Sequence, residues 1–269
     1  MNRPPLDGVR VVVTRSQAQA GTLRETLSAA GAVVESLPLL EVTPPGDPSG
    51  LLEAIAHLRS FDWAVFTSVN AVRSVIPHAG IWPEGVRVAA VGPATRSALM
   101  AAGIAVDLEA GAPAGGAANA AGLLAILERC LDSATLLRPR VFLPQAADAR
   151  PELENGLRKA GYEVRRVVAY DKKLPEEAAD TARRLFDDHP LGWVTFSSPR
   201  VARHFVGIFG TSWGERRSEL NAASLGPVTS TALRQSGIEP AVEAAVPSSE
   251  SLVAAMVAAV RTRSGYQPI

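Results

Sequence analysis

Five short segments place small hydroxylated residues or glycine directly after an apolar run and at the start of a helix-length segment. In α/β proteins, such turns collect helix N–H groups and hydroxyls at the carboxyl ends of strands, where ligands bind. The five turns together offer many neutral hydrogen-bond donors, which suits the binding of an anion with several carboxylates. The alternative interpretation of each turn is a simple helix cap. The segments are Thr14-Arg15-Ser16, Thr67-Ser68, Gly92-Pro93-Ala94-Thr95, Ser197-Ser198-Pro199 and Gly226-Pro227-Val228-Thr229.

The sequence lacks the motifs of several other chemistries. No Walker A loop or dinucleotide-binding glycine pattern is present, and the turns around Ser68 and Ser198 lack the glycines of a nucleophile elbow. The four histidines and the single cysteine have no metal-ligand spacing. We therefore predict no metal site and no cofactor, and any catalysis would rest on positioning and electrostatics.

Apolar runs alternate with helix-length segments along the chain. We predict helices over 18–30, 121–131 and 251–261, and we expect Gly31 to end the first helix in a left-handed conformation. Continuous apolar strands between helices are typical of parallel sheets covered on both faces, so the fold class is α/β. The predicted strands cover 9–14, 33–40, 63–68, 86–92, 105–110, 140–144, 163–170, 193–198 and 222–226.

The two halves of the chain repeat one another. An offset of 130 positions superposes Gly31 on Gly161 and Trp63 on Trp193, and an offset of 134 superposes Thr95 on Thr229. The order of the matches is kept throughout, which indicates a duplication of a domain-sized unit rather than a solenoid. Both tryptophans lie in apolar strands and are predicted to be core residues.

Composition narrows the class of protein further. The 269 residues are 47% hydrophobic, and 27 basic residues balance 27 acidic ones, so no global charge favours nucleic acid or an anionic membrane. Cys130 is the only cysteine, which excludes an intramolecular disulfide, and we expect it to be a buried thiol. No apolar stretch reaches the length of a membrane span or a signal peptide. We expect a soluble, cytoplasmic protein.

Several motifs, in one order and at matching spacing, carry a family resemblance. They are "FTSVNAV" (66–72), "VGPATRSAL" (91–99), "ADARPELENGLRKAGYEVRRVVAY" (147–170), "FSSPRVARHF" (196–205) and "LGPVTSTAL" (225–233). With the "VTR" turn near the start, this set resembles the uroporphyrinogen-III synthase family over roughly residues 9–260.

The resemblance implies a fold of two similar HemD-like α/β domains, each a parallel sheet flanked by helices, joined by a two-stranded β-ladder. One domain would be discontinuous, made of residues 1–38 and 172–269, and the other would cover 42–168. The ladder linkers would be 38–44 and 168–174, where proline and charged residues fall at matching points of the two halves.

The resemblance also implies a function in tetrapyrrole biosynthesis. The substrate would be hydroxymethylbilane, which the enzyme, a cofactor-free hydro-lyase, would close into uroporphyrinogen III with loss of water and inversion of ring D. We expect a monomer, with a possible transient contact to the preceding pathway enzyme. The alternative is a two-lobed protein that binds or senses a tetrapyrrole or another anion without catalysis.

Site residues follow from the same resemblance, position by position. Tyr170 matches a tyrosine of the ladder and is the candidate catalytic residue, as a phenol that donates to the departing hydroxyl; the alternative is a tyrosine that packs a connector. Thr95 and Thr229 have helix capping as their alternative, and Arg15 and Arg150 are expected to bind carboxylates. The candidate substrate-binding residues are Arg15, Ser68, Gly92, Thr95, Arg150, Ser198, Gly226 and Thr229.

Overall fold

The structure, a computed structural model, describes residues 3–110, Gly122, Ala125, 138–187 and 189–263. Cys130 and most of the helix predicted over 121–131 lie outside these residues. The strands are β1 (Arg10–Val13), β2 (Val33–Ser36), β3 (Glu41–Thr43), β4 (Trp63–Phe66), β5 (Arg87–Val91), β6 (Leu108–Ala110), β7 (Arg140–Ala146), β8 (Glu163–Lys173), β9 (Gly192–Phe196), β10 (Leu220–Ser224) and β11 (Val242–Glu243).

Helices follow most of the strands, as the alternating pattern predicts. Within the described residues, none is both long and apolar enough to cross a membrane. The helices are α1 (Gln17–Ala29), α2 (Ser49–Ala56), α3 (Val69–Ala79), α4 (Pro93–Ala101), α5 (Glu152–Lys159), α6 (Ala178–Phe186), α7 (Pro199–Phe209), α8 (Trp213–Arg216), α9 (Pro227–Gln235) and α10 (Ser249–Arg263).

The first of two compact units comprises Met1–Glu41 and Lys173–Ile269. Its five strands lie in the order β11-β10-β9-β1-β2, and every adjacent pair is parallel. Alternate residues of β1 enter different cores: Val12 packs with Phe196 and the helices α6, α7 and α9, whereas Val11 packs with α1 and α10. Both faces of this sheet are therefore covered.

The second unit comprises Val42–Lys172 and contains a six-stranded sheet in the order β3-β8-β7-β4-β5-β6. The pairs from β8 to β6 are parallel. Phe66 packs with α2, α3 and α4 on one face, and Val65 packs with α5 on the other. The predicted domain limits, and a two-stranded ladder formed by residues 38–44 and 168–174 between the domains, remain predictions.

The duplication predicted from the sequence is visible element by element. Helices α3 and α7 have the same length and lie 130 positions apart, and α4 and α9 correspond in the same way at 134. The order β11-β10-β9-β1-β2 matches β6-β5-β4-β7-β8, and β3 is an addition to the second copy. Trp63 and Trp193, at equivalent places in β4 and β9, are 2% and 6% exposed, which confirms them as core residues.

Some predicted strands are longer than the observed ones. The strand predicted over 33–40 ends at Ser36, although the N–H groups of Leu37 and Leu39 still donate to the carbonyls of Val13 and Thr14 at 3.0 and 3.1 Å. Pro38 between them has no N–H, so the regular ladder stops while the chain stays beside β1.

We predict unequal effects of alanine at two equivalent glycines. Gly31 and Gly161 follow α1 and α5 with φ +93° and +96°, so alanine at either should cost about 1–2 kcal/mol of backbone strain. A Cβ on Gly31 would also lie 2.6 Å from Pro4 Cβ, whereas one on Gly161 meets nothing within 4 Å. Gly31→Ala should therefore lose about 1–3 kcal/mol more than Gly161→Ala. Urea denaturation measures both, and equal losses would contradict the predicted clash.

Candidate functional site

Three predicted turns of the first unit lie side by side. Arg15 follows β1, Ser198 follows β9 and Gly226 follows β10, and these strands are neighbours in one parallel sheet. Since the carboxyl ends of parallel strands share one edge, the three turns occupy that edge. Helices α7 and α9 begin there, and the first N–H groups of a helix have no partner within the helix.

A pocket of about 430 Å³ opens at this edge, lined by Arg15, Leu40, Ser197 and Ser198. Burial lowers the pKa of the Arg15 guanidinium, because desolvation disfavours its charged form. Among the side chains that the structure describes, none forms a hydrogen bond or ion pair with it. A half-buried cation in a pocket with a serine hydroxyl is suited to a carboxylate.

The corresponding edge of the second unit brings Ser68 and Tyr170 together. Ser68 is the N-cap of α3, and its Oγ accepts the N–H of Ala71 at 3.1 Å. The same Oγ lies 3.0 Å from the phenol oxygen of Tyr170. Lys172 lies 5.7 Å above the phenol ring and 3.8 Å from Asp148, so its ammonium group stays close to the ring.

Tyr170 differs from its predicted surroundings in one respect. We expected it at the edge of a ladder, but β8 has neighbours on both sides, β3 and β7, and the side chain is only 5% exposed. The ring packs in the apolar cluster on the α2–α4 face of the sheet. The extended apolar run before it places the residue inside a strand, and only its hydroxyl reaches a half-buried polar group.

Helix capping does not account for Thr95 and Thr229. The N-cap residues of α4 and α9 are Gly92 and Gly226, and both threonines are the third residue of their helix. Their exposed fractions are 3% and 5%, so little of either side chain reaches the surface. Gly92 has φ +80°, which favours glycine, whereas Gly226 is extended. Capping through a side chain instead belongs to the serines.

Arg150 follows β7 at the carboxyl edge of the second unit, but among the described side chains it forms no hydrogen bond or ion pair with these residues. It is exposed in the segment between β7 and α5, whereas Arg15 is half-buried in the pocket of the first unit. Sequence reasoning treated the two arginines alike because both match basic positions. Their surroundings differ, and so does the strength with which each would hold an anion.

Two correspondences were missed in the sequence, although the offset of 130 contains both. It superposes Tyr170 on Leu40 and Arg15 on Gln145. Gln145 is 5% exposed, and its Oε1 has no hydrogen-bond partner within the described residues. The phenol beside Ser68 and the guanidinium beside Ser198 are thus each present in one copy only.

The described residues contain no group of three or more His, Cys, Asp or Glu side chains placed to hold a metal ion. The donors at the two edges are hydroxyls, helix N–H groups and Arg15. The fold and these donors define a duplicated α/β protein with hydroxyl, helix N–H and arginine donors at the carboxyl ends of its strands.

Comparison with known proteins gives the family. The sequence model described as uroporphyrinogen-III synthase HemD matches residues 21–254. The uroporphyrinogen-III synthase of Synechococcus elongatus is 30% identical over 239 residues, which cover 86% of this chain and 87% of that protein. The chloroplastic enzyme of rice is 24% identical over 266 residues, 96% of this chain and 82% of that one. The chain therefore belongs to the uroporphyrinogen-III synthase family.

Solved structures share the fold. A uroporphyrinogen-III synthetase from Helicobacter pylori matches with a TM-score of 0.63 at 20% identity, over 93% of this chain and 99% of that one. A mutant uroporphyrinogen III synthase from Thermus thermophilus matches with a TM-score of 0.60 at 17% identity, over 95% and 100%. The α/β fold with helix-flanked parallel sheets is thereby confirmed.

We predict that the two equivalent serines differ in their contribution to stability. Ser198 accepts the N–H of Val201 at 3.4 Å, and loss of either serine cap should cost about 1 kcal/mol. Ser68→Ala should cost about 1–3 kcal/mol more, because it leaves the buried phenol of Tyr170 unpaired. Adding Tyr170→Phe to Ser68→Ala should recover part of that loss. Urea denaturation of these variants tests this; equal losses for both serines would contradict it.

Proposed function

We propose that this chain is a uroporphyrinogen-III synthase that closes hydroxymethylbilane with loss of water and inversion of ring D. The observation that carries the proposal is family membership over residues 21–254, supported by the relative at 30% identity. The chain is accordingly a lyase of tetrapyrrole biosynthesis. No cofactor takes part in this reaction, because elimination of a hydroxyl and closure of the ring need only positioning and proton transfer.

The substrate carries an acetate and a propionate on each pyrrole ring, so binding requires many carboxylate contacts. Arg15 and Ser198 are proposed to hold a carboxylate in the pocket of the first unit. The remaining contacts are shared by Arg150 and by the turns of Ser68, Gly92, Thr95, Gly226 and Thr229. A hydrogen bond to a charged group contributes about 1.5–3 kcal/mol, so several such bonds together can hold the flexible linear substrate in one conformation.

Positioning is the larger part of the task. Hydroxymethylbilane also closes without inversion when no protein is present, so the enzyme must select the conformation in which ring D inverts. The hydrogen-bonded pair of Ser68 and Tyr170 supplies a proton to the departing hydroxyl. General acid catalysis of this kind typically contributes about 10²–10⁴-fold to the rate.

We further propose that the protein acts in the cytoplasm as a monomer and receives its substrate from the preceding enzyme of the pathway. The single cysteine, which allows no disulfide within the chain, supports the cytoplasmic location. The competing function is binding or sensing of a tetrapyrrole without catalysis, on the same donor edges. An enzyme converts hydroxymethylbilane into isomer III, whereas in the presence of a non-catalytic binding protein only spontaneous closure to isomer I takes place. One assay therefore separates the two functions.

That assay incubates the protein with freshly made hydroxymethylbilane and separates the oxidised porphyrin isomers by chromatography. We predict isomer III with the parent protein and at least a tenfold loss of isomer III formation in Tyr170→Phe, which keeps the packed ring and removes the donor. If only isomer I forms in the presence of the parent protein, the competing function of binding without catalysis is supported. Turnover of Tyr170→Phe within twofold of the parent would assign Tyr170 to packing.

We predict that the two arginines differ in their effect on KM. Arg15→Gln should raise the KM for hydroxymethylbilane about tenfold or more, since a charged contact in a half-buried pocket is strong. Arg150→Gln, at an exposed position, should raise it about fivefold or less. Without substrate, Arg15→Gln should not lower the free energy of unfolding, because it removes a desolvated charge. A larger effect of Arg150→Gln would contradict the assignment.

A further inference from the structure

The hydroxyl of Ser68 has two close polar neighbours in its own unit. Its Oγ accepts the N–H of Ala71 at 3.1 Å and lies 3.0 Å from the phenol oxygen of Tyr170. The N–H of Ala71 can only donate, so one lone pair of Ser68 is occupied by the helix cap. The direction of the second hydrogen bond decides what else Ser68 can do.

Burial of Tyr170 decides that direction. The side chain is 5% exposed, and within the described residues its phenol has Ser68 Oγ as its hydrogen-bond partner. A buried hydroxyl hydrogen without an acceptor is costly, whereas a phenol oxygen without a donor is a smaller loss. The phenol therefore donates to Ser68.

With both lone pairs occupied, Ser68 can act only as a donor. Its own hydroxyl hydrogen is directed away from Tyr170 and Ala71. Ser68 is half-buried and follows β4, at the carboxyl edge of the sheet where the family's chemistry is proposed to occur. The serine, rather than the buried phenol, is the group of this pair that a ligand can reach.

The duplicated unit provides an internal comparison. Ser198 has φ −161° and ψ 158°, against −159° and 154° for Ser68, and it caps α7 in the same way. Leu40 stands at the position equivalent to Tyr170 and supplies no donor. Ser198 therefore keeps a free lone pair and can both donate and accept. Only the Ser68 copy has a phenol that makes its serine a pure donor.

We propose that Ser68 contacts the departing hydroxyl of the substrate and that Tyr170 is a positioning residue that acts through Ser68. This inference rests on the proposed function. Ser68 passes its proton to the departing oxygen as the carbon–oxygen bond breaks and water leaves, and Ser68 takes the proton of Tyr170 along their hydrogen bond. Ring closure releases one proton from a pyrrole carbon, and that proton returns to Ser68, which passes a proton back along the hydrogen bond to Tyr170.

A double-mutant cycle on kcat/KM for isomer III formation tests the proposal. Ser68→Ala and Tyr170→Phe should each lose at least tenfold, and the double variant should be no slower than Ser68→Ala alone, because Tyr170 then has nothing to act through. If Tyr170→Phe costs the same factor with or without Ser68, the phenol acts directly on the substrate and the proposal is wrong.

Matched variants separate this effect from folding. Ser68→Thr keeps a hydroxyl and a favourable cap and should restore most of the kcat, whereas Ser68→Gly keeps a tolerated cap without a hydroxyl and should not. In a Ser198→Ala background, Tyr170→Phe should keep its full tenfold effect, since Ser198 is not its partner. If Ser68→Gly and Ser68→Thr restore kcat equally, the role of Ser68 is limited to capping the helix.

The product formed by the parent protein separates a failure of the proposed synthase function from a failure of the proposed role of Ser68. If it yields only isomer I, the proposed function fails and the cycle has no substrate reaction to report. If it yields isomer III while the two substitutions act independently, the function holds and only the role of Ser68 is overturned. Circular dichroism of each variant establishes that the helices are intact before rates are compared.

Discussion

Parallel pairing of the strands is the constraint on which the rest of the structure depends. In each unit the strands that matter, β1, β9 and β10 or β7, β4 and β5, are parallel neighbours, so their carboxyl ends share one edge. Each helix that follows begins at that edge with unpaired N–H groups. Because helices cover both faces of each sheet, the edge formed by the carboxyl ends of the strands is where polar groups can gather. The candidate residues lie at this edge.

Duplication supplied two such edges, and the copies have diverged in a complementary way. The first unit has Arg15 and Leu40 around Ser198, and the second has Gln145 and Tyr170 at the positions equivalent to that pair. One edge therefore offers a cation for a carboxylate, and the other offers a phenol paired with a serine. Helices α3 and α7 have the same length and their capping serines have nearly the same backbone angles, so the difference at these two edges lies in the side chains next to the serines.

Much of the fold could be predicted from local pattern. Apolar runs located most strands, the offsets of 130 and 134 gave equivalent elements, and both Trp63 and Trp193 are buried as expected. The limits of β2 were less predictable, because Pro38 ends the regular ladder without turning the chain away from β1. The two-residue strand β11 was missed, since so short a segment carries no periodicity that could identify it, whereas β3 lies inside the segment 38–44 predicted for the ladder.

The sequence by itself determined the α/β class, the duplication, the family resemblance and the segments that carry the candidate site, because these follow from periodicity and from residue order. Only the tertiary structure decided what each side chain does. Thr95 proved to be a buried third helix residue, Arg150 an exposed one between elements, and Tyr170 a buried partner of Ser68, 102 positions away. Burial and pairing between distant residues depend on how strands align, and no local pattern encodes that alignment.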